Sequence, residues 1–308
     1  MELQFAKSNA IRVTVGMCVK NSRSIVKKAL DSVLNQDTPH YLMELIIVDG
    51  NSTDGTVKLL YDDLKNTDLR FRIFSENSGL GTARQMVVDK ALGDYIVWVD
   101  ADMILTNSYI SNQVAFMDEH PKVGIAAGKY DVHIGHGVVA DLENVVYVVD
   151  SVYGAPSASK FGSLPGTEGC IFRVKAIRQI GGFDTRMSGA AEDTEVAYRM
   201  RCKGWKIALT KEKFAESTRQ SWSSLWAQYV WYGRGGHFVF HKDSGGLTLW
   251  KMTPMAGFVA GVLRSPKAYL LIHKKVIFLL PFHYTYKRTA WLFGFISAHL
   301  EGYGHFTN

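Results

Sequence analysis

The chain has 308 residues, of which 47% are apolar and 21% charged, and this balance excludes a disordered or fibrous protein. The length allows one large core, or a main domain with a smaller appendage. The net charge of +6 lies entirely in residues 242–308, because the first 241 residues carry 27 basic and 27 acidic side chains. Such a segment predicts contact with an anionic partner, and the aliphatic runs between its basic residues disfavour nucleic acid.

The cysteine content bears on the cellular compartment. Cys18, Cys170 and Cys202 are an odd number at wide spacing, which fits neither a disulfide framework nor a CxxC metal site. Residues 1–13 lack the apolar core of a secretory signal, and no run of about 18 uninterrupted apolar residues predicts a transmembrane helix. We therefore expect a reduced, cytoplasmic protein.

Strand-like runs alternate with helical patterns in the first third of the chain. The β-branched runs that predict strands are 12–19, 44–49, 70–75 and 95–100. Apolar residues at spacings of three and four predict helices over 25–34, 57–64 and 79–91. This alternation predicts a mostly parallel sheet covered on both faces, and ligands of such sheets bind outside the carboxyl ends of the strands.

Acidic residues follow two of these predicted strands. Asp49 ends the second strand, Asp100 ends the fourth, and Asp102 comes two residues later. Charged groups at the end of a buried strand are costly unless something pairs with them. Mg²⁺ or Mn²⁺ can do so, since each takes one or two protein carboxylates and fills its other positions with water and phosphate oxygens. The spacing therefore predicts a divalent cation site at Asp100 and Asp102, the alternative being a solvated turn.

A second acidic group lies in the segment SGAAEDTEVAYRM, residues 188–200. Small residues lead into Glu192 and Asp193, which open a predicted helix, and Glu195 is expected on its outer side. The helix dipole alone can stabilise acids at this position, but that does not explain the small, open lead-in. A carboxylate within hydrogen-bond reach of a hydroxyl can take its proton, so this pair is a candidate for acid–base chemistry.

Five segments, in this order, resemble the inverting, GT-A-fold glycosyltransferases of family 2. They are VTVGMCVKNSRSIVKKALDSVLNQ, ELIIVDGNSTDGT, ENSGLGTARQMVVDKALGDYIVWVDAD, GCIFRVKAIRQIGGFD and AEDTEVAYRMRCKGWKI. The resemblance covers roughly residues 11–240 and implies an α/β GT-A fold, with a mostly parallel nucleotide-binding sheet flanked by helices. One departure is visible, since the family often has a second acid and then glycine where this chain has Gly50 and Asn51.

The resemblance also implies roles on the donor side. Asp49 resembles the acid that hydrogen-bonds the nucleobase of a UDP- or GDP-linked sugar. Arg84 resembles the basic residue that reaches the base and the phosphates. Asp100 resembles the acid near the ribose, and Asp102 resembles the direct ligand of Mn²⁺ or Mg²⁺.

On the acceptor side, Glu192 and Asp193 match the family's Glu–Asp motif. The resemblance implies that Asp193 is the catalytic base and that Glu192 assists it or binds the acceptor. Residues 131–169 and the glycine loop at 181–184 are expected to form this side of the cleft.

The segment 218–242 predicts an aromatic-rich helix. Most of its rings are expected to pack on the sheet, although indole faces can also stack on sugars. Arg219 and Arg234 are candidates to donate to diphosphate oxygens. Processive synthases of the resembled family carry a glutamine followed by an arginine–tryptophan pair, and the absence of this pair after Gln228 disfavours processive synthesis.

Three apolar segments with basic flanks follow, at 252–272, 276–282 and 290–300. Each is too short or too interrupted to span a bilayer comfortably, so we expect helices that lie in a membrane surface, in contact through 252–300. Lysines near anionic lipid would add on the order of 1 kcal/mol each. The alternative is a helical subdomain that covers the sheet or forms a dimer interface.

The expected organisation is a GT-A domain over 1–241, with a nucleotide-sugar half at 11–105 and an acceptor half at 106–241, and a basic tail over 242–308. The predicted function is metal-dependent, inverting transfer of a sugar from a nucleoside-diphosphate sugar to a hydroxyl of a glycan or lipid-linked acceptor. The expected place is the inner face of the cell membrane.

Three alternatives stay open. A polyprenyl-phosphate sugar synthase has an ionised phosphate acceptor and needs no base, which the Glu–Asp motif disfavours. A sugar-phosphate nucleotidyltransferase would normally have a glycine-rich basic loop after its first strand, where this chain has MCVKNSRS. A catalytically inactive scaffold would only bind nucleotide sugars.

Overall fold

The computed structural model describes residues 11–153, 164–242 and 248–304. Its strands are β1 (Val13–Val19), β2 (Met43–Asp49), β3 (Arg70–Ser75), β4 (Tyr95–Trp98), β5 (Met103–Leu105), β6 (Val123–Ile134), β7 (Cys170–Arg173) and β8 (Lys206–Ser217). Its α-helices are α1 (Val26–Leu34), α2 (Thr56–Leu64), α3 (Leu80–Lys90), α4 (Tyr109–Glu119), α5 (Val138–Tyr153), α6 (Val174–Gln179), α7 (Glu192–Cys202), α8 (Trp222–Lys242), α9 (Pro254–Ile272) and α10 (Leu280–Leu300).

All eight strands form one sheet, in the order β3-β2-β1-β4-β7-β6-β8-β5. The first four strands of the chain pair in parallel, as their alternation with helices predicted. The added strands are mixed, because β7 is antiparallel to both β4 and β6, β5 is antiparallel to β8, and β6 and β8 are parallel. The predicted α/β fold class is therefore confirmed, and the antiparallel strands are an addition that the alternation did not reveal.

Two apolar layers cover the faces of this sheet. One packs α1 and α2 against β1 and β2, with Leu30 and Leu45 fully buried. The other packs α3, α6 and α7 on the opposite face around Val87 and Trp98. A side chain at Gly16 of β1 would meet both of these residues at 2.8–2.9 Å, so the glycine lets α3 lie directly on the sheet. Burying one such large apolar side chain contributes roughly 1.5–3 kcal/mol.

The last helix, α10, packs against α8 through glycines. A Cβ at Gly233 would lie 1.9 Å from the carbonyl oxygen of Trp291, and one at Gly294 would lie 2.0 Å from that of Val230. Side chains at these glycines would push the backbones apart, so α8 and α10 depend on them for their close approach. Among the described residues, none of the helices has the length and apolar content needed to cross a bilayer.

The expected domain limits stay predictions. The observed α8 continues to Lys242, across the expected limit at 241, and it packs along α10. The expected limits and the expected acceptor segment also include residues that lie outside the described part of the chain, namely 1–10, 154–163, 243–247 and 305–308.

A buried ion pair joins α5 to α10. The ammonium of Lys287 donates to Glu143 at 2.7 Å and lies 4.7 Å from the ring centre of Tyr229. His283 Nε2 lies 2.7 Å from the same carboxylate oxygen. Burial alone would raise the pKa of Glu143, but the charge of Lys287 and the contact with His283 outweigh it and lower this pKa to about 2.

We expect Glu143→Gln to lower the free energy of unfolding by about 3 kcal/mol near neutral pH, because the buried charge of Lys287 would lose its partner. The folded pKa lies below the unfolded value of about 4.3, so wild type loses this contribution as pH falls from about 5 to about 2, and the two proteins should converge. Urea unfolding across this range measures both effects.

Asp141→Asn is a matched control on the same helix, since Asp141 forms an exposed pair with Lys274 at 3.5 Å. Its effect should stay within about 1 kcal/mol. Equal effects of the two variants, or a Glu143→Gln effect that does not change with pH, would contradict the assignment.

Candidate active site

A cavity of about 600 Å³ opens beside the carboxyl end of β4. Its acidic lining residues are Asp100, Asp102, Glu168, Asp193 and Glu216. Its basic lining residues are Arg84, Arg219 and Arg288. The structure therefore brings the predicted residues Arg84, Asp100, Asp102 and Asp193 to one place. The three acids come from two segments that are about 90 residues apart in the chain.

Arg84 lies at the centre of the charges. It is buried on α3, forms an ion pair with Glu192, and has guanidinium nitrogens 3.7 Å from carboxylate oxygens of both Asp100 and Asp193. Burial alone would lower the pKa of Arg84, but these acids together raise it. The arginine thus stays charged and holds the two acidic segments together, since its removal would leave buried carboxylates without a counter-charge.

The turn between β4 and β5 presents Asp100 and Asp102. The amide of Met103 donates to the Asp100 carbonyl at 3.1 Å, and the amide of Ser217 donates to the Asp102 carbonyl at 3.0 Å. Burial, and then the charge of Asp100, raise the pKa of Asp102 to about 6. Two crowded carboxylates offer hard oxygen donors to a partly open cavity, and this donor set suits Mg²⁺ or Mn²⁺. These residues fit the predicted cation.

Two further acids, Glu168 and Glu216, were missed by the sequence analysis. Burial, and then the charge of Asp193, raise the pKa of Glu168 to about 8. Burial, and then the charge of Asp102, raise the pKa of Glu216 to about 9. Glu168 stands just before β7, which is antiparallel to β4, so the start of β7 meets the end of β4. Glu168 could be assigned to the site only once this antiparallel pairing was known, and the sequence pattern does not indicate it.

The two acids that open α7 face different environments. The preceding Ala191 has a left-handed backbone, with φ of +77°, and so turns the chain sharply into the helix. Asp193 lines the cavity, and its Oδ1 accepts a hydrogen bond from the Thr194 amide at 2.6 Å. Glu192 is 1% exposed and does not line the cavity. The Glu192 carboxylate is buried against Arg84, so its assisting role has a contact in this structure, while its binding of the acceptor stays a prediction.

Glu195 and Arg234 both form ion pairs that the sequence did not predict. Glu195 is 3% exposed rather than on the outer side of the helix, because Arg199 and Lys242 pair with it at 2.6 and 2.7 Å. Arg234 does not line the cavity, and it forms a two-pronged ion pair with Glu301 at 2.6 and 2.8 Å. Its diphosphate contact stays a prediction, whereas Arg219 does reach the cavity.

Asp49 lies at the end of β2, beside a smaller cavity of about 320 Å³ that its neighbours Val48 and Gly50 line. Its Oδ2 accepts a hydrogen bond from the Ser52 amide at 2.9 Å. Its buried Oδ1 has no hydrogen-bond partner within the described part of the chain. Such a buried acceptor costs free energy unless a ligand donor meets it. Both cavities include Cys18, Leu80 and Trp231 in their walls, so they adjoin.

The far wall of the larger cavity is aromatic and comes from the C-terminal helices. Trp231 and Tyr232 of α8 and Trp291 of α10 line it. The side-chain amide of Gln228 donates to the Tyr232 hydroxyl at 3.0 Å. The expectation that most rings of this helix pack on the sheet missed this wall, because helical spacing alone does not show which face is open.

We expect Glu168→Gln to stabilise the metal-free protein at high pH. The folded pKa of Glu168, about 8, lies above the unfolded value of about 4.3, so ionisation costs stability as pH rises between these values. The variant should match wild type near about pH 4 and have a free energy of unfolding higher by about 5 kcal/mol near about pH 9. Glu119→Gln, at an exposed glutamate, is the control. Urea unfolding that gave both variants the same pH profile would contradict this assignment.

Two family models match the chain. Glycosyl transferase family 2 matches residues 14–158, and Glycosyl transferase family group 2 matches residues 95–300. The chain is 25% identical over 228 residues to a poly-β-1,6-N-acetyl-D-glucosamine synthase of Staphylococcus epidermidis, covering 72% of this chain and 54% of that protein. It is 24% identical over 242 residues to the synthase of the same name from Staphylococcus aureus, covering 75% and 56%. The chain thus spans about half the length of these curated relatives.

Solved structures show the same fold. The mannosyltransferase PcManGT from Pyrobaculum calidifontis, in complex with GDP-Man and Mn²⁺, has a TM-score of 0.65 at 18% identity, with 98% of this chain and 91% of that chain covered. TarS of S. aureus in complex with UDP has a TM-score of 0.52 at 16% identity, with 97% and 94% covered. With these matches, the chain belongs to the inverting, GT-A-fold glycosyltransferases of family 2.

Proposed function

We propose that this glycosyltransferase moves a sugar from a UDP- or GDP-linked donor to a hydroxyl acceptor, with Mn²⁺ or Mg²⁺ held by Asp100 and Asp102. The observation that carries the proposal is the position of Arg84, 3.7 Å from both Asp100 and Asp193. A single guanidinium thus separates the acids suited to a cation from the acid suited to deprotonate an acceptor. That PcManGT was solved with GDP-Man and Mn²⁺ supports the donor class and the use of a metal.

The donor would occupy both cavities. The nucleoside would lie in the smaller cavity, and the unpaired Oδ1 of Asp49, which is buried beside this cavity, would accept a hydrogen bond from the base. The diphosphate would extend past Leu80 to Asp100 and Asp102, because the two cavities have this wall in common. A bound divalent cation supplies positive charge that stabilises the diphosphate as it leaves. Arg219 can add a donor on the same side.

Asp193 is the proposed general base. The Thr194 amide holds Oδ1, which leaves Oδ2 available to take the proton of the acceptor hydroxyl. As that proton moves to Oδ2, the hydroxyl oxygen bonds to the anomeric carbon, and the bond from that carbon to the diphosphate oxygen breaks on the opposite side, which inverts the configuration. Glu192 would act as a positioning residue by holding Arg84.

The acceptor is proposed to be a glycan. Trp231, Tyr232 and Trp291 offer aromatic faces on which sugar rings stack. The Asp193 carboxylate in the cavity disfavours the alternative of a polyprenyl-phosphate acceptor, because an ionised phosphate needs no base. The names of the curated relatives support a glycan product, while a lipid-linked acceptor is supported by the apolar surface described below.

The first experiment separates donor binding, metal use and proton transfer. Nucleoside diphosphates and their sugars are screened by thermal shift with and without Mn²⁺ or Mg²⁺, and transfer to glycan acceptors is then assayed with the donor that binds. Asp193→Asn should keep donor affinity within about 2-fold and lower turnover by about 10²- to 10⁴-fold. Asp102→Asn should lose the metal-dependent part of donor binding, because a direct ligand is gone.

Asp37→Asn, at an exposed carboxylate in the loop after α1, is the matched control and should behave as wild type. Unchanged transfer by Asp193→Asn would remove this residue from the mechanism. Donor binding that is equally tight with and without a metal chelator would remove the cation from it.

We also propose that the C-terminal helices lie on the cytoplasmic face of the cell membrane. Of the 25 large apolar side chains that are exposed in the described part of the chain, 16 lie between residues 249 and 300. The exposed basic residues among them are Lys251, Lys267, Lys274 and Lys275. An apolar surface flanked by lysines is complementary to an anionic bilayer, which offers acyl chains below and phosphates above.

Vesicle co-sedimentation tests this orientation. Wild type should bind vesicles that contain anionic lipid, and it should bind zwitterionic vesicles more weakly. Leu270→Glu should reduce binding by at least about 10-fold, because a charge on the apolar face opposes insertion. Leu209→Glu is the control, since Leu209 on β8 and Leu270 on α9 are both 71% exposed. Equal loss in both variants, or no binding by wild type, would contradict the orientation.

A further inference from the structure

Three histidines meet where the end of α8 approaches the end of α10. His237 and His241 are four residues apart on α8, and His299 comes from α10. His237 Nε2 lies 3.1 Å from His241 Nε2 and 3.3 Å from His299 Nδ1. One nitrogen from each ring falls within 4.8 Å of the other two. The three rings therefore bring one nitrogen each into a single small cluster.

The tautomer of His237 is fixed by its other nitrogen. His237 Nδ1 lies 2.6 Å from the carbonyl oxygen of Tyr303, and a carbonyl oxygen can only accept. Nδ1 therefore carries the hydrogen, and in the neutral ring Nε2 presents its lone pair to the other two histidines. A backbone carbonyl that orients an imidazole in this way is the usual second partner of a metal-binding histidine.

The spacing fits a tetrahedral ion. With metal–nitrogen distances of about 2.0–2.1 Å, two ligands of a tetrahedron lie about 3.3 Å apart, close to the two separations observed from His237 Nε2. We propose that His237, His241 and His299 form a zinc site that fastens α10 to α8. Two of the three rings are exposed, which leaves the fourth position open to water.

This site is separate from the catalytic cation site. None of the three histidines lines the large cavity, and imidazoles prefer Zn²⁺, whereas the carboxylates of Asp100 and Asp102 prefer Mg²⁺ or Mn²⁺.

The histidine cluster and the catalytic site are nevertheless linked through Tyr303. Tyr303, whose carbonyl holds His237, accepts a hydrogen bond through its hydroxyl from the Ser188 amide at 3.0 Å, four residues before Glu192. Bound zinc would therefore also hold in place the segment at Ser188 that leads into α7.

The test uses the full chain, stripped with a chelator and titrated with Zn²⁺ at about pH 7.5, where most imidazoles are neutral. Wild type should bind one equivalent, measured by competition with a chromophoric chelator, and its melting temperature should rise by roughly 5 °C at a 100-fold excess over Kd. Co²⁺ in the same site should give the visible absorption of a tetrahedral nitrogen-rich complex.

His241→Asn and His299→Asn change exposed rings and should each weaken Zn²⁺ binding at least about 10-fold, because each removes a ligand. His120→Asn, at an exposed histidine outside the cluster, should bind as wild type. Asp102→Asn should keep the zinc equivalent, which separates this site from the proposed catalytic cation. Zinc binding that survives His241→Asn and His299→Asn, or that disappears in Asp102→Asn, would overturn the proposal. So would a wild type that binds no zinc and gives no tetrahedral Co²⁺ spectrum.

Discussion

The site depends on one electrostatic constraint, which is that many carboxylates lie around a single buried arginine. Arg84 pairs with Glu192 and approaches Asp100 and Asp193, so one positive charge faces three acids from two segments. The pKa of Asp100 and that of Glu192 are both raised, by burial first, although Arg84 opposes the rise. Ionising these buried acids is therefore costly with Arg84 alone, and a divalent cation bound beside them would favour their charged forms.

The C-terminal helices are part of the same cavity. Arg288 and Trp291 of α10 stand in its wall, together with Met252 from the turn before α9. The position of α10 is in turn set by glycine-mediated contact with α8 and by the buried pair of Lys287 with Glu143. Changes in the position of this helix would therefore alter the proposed acceptor side of the site, so the proposed membrane contact and the proposed acceptor site have α10 in common.

The sequence predicted the parts of the site that local patterns control. Alternating strands and helices placed Asp100 at the carboxyl end of a parallel strand, and the small residues before Glu192 marked the second acidic segment. Contacts between distant segments could not be predicted in this way. Glu168 reaches the site through an antiparallel strand, and Glu195 is buried because Lys242 pairs with it from 47 positions away. The helical period also could not show that Arg234 faces Glu301 rather than the cavity.

The geometry of α10 relates the proposed membrane contact to the proposed acceptor. Trp291 faces the cavity, while Phe293, two residues later, is exposed on another face of the helix. Two residues turn an α-helix by about 200°, so one helix can present a ring to the cavity and another to lipid. In the proposed orientation, an acceptor anchored in the bilayer would pass along α10 towards Trp291 and then meet Asp193. A lipid-linked glycan could thus reach the base without leaving the membrane surface. A freely diffusing glycan would not need a site that opens beside the membrane.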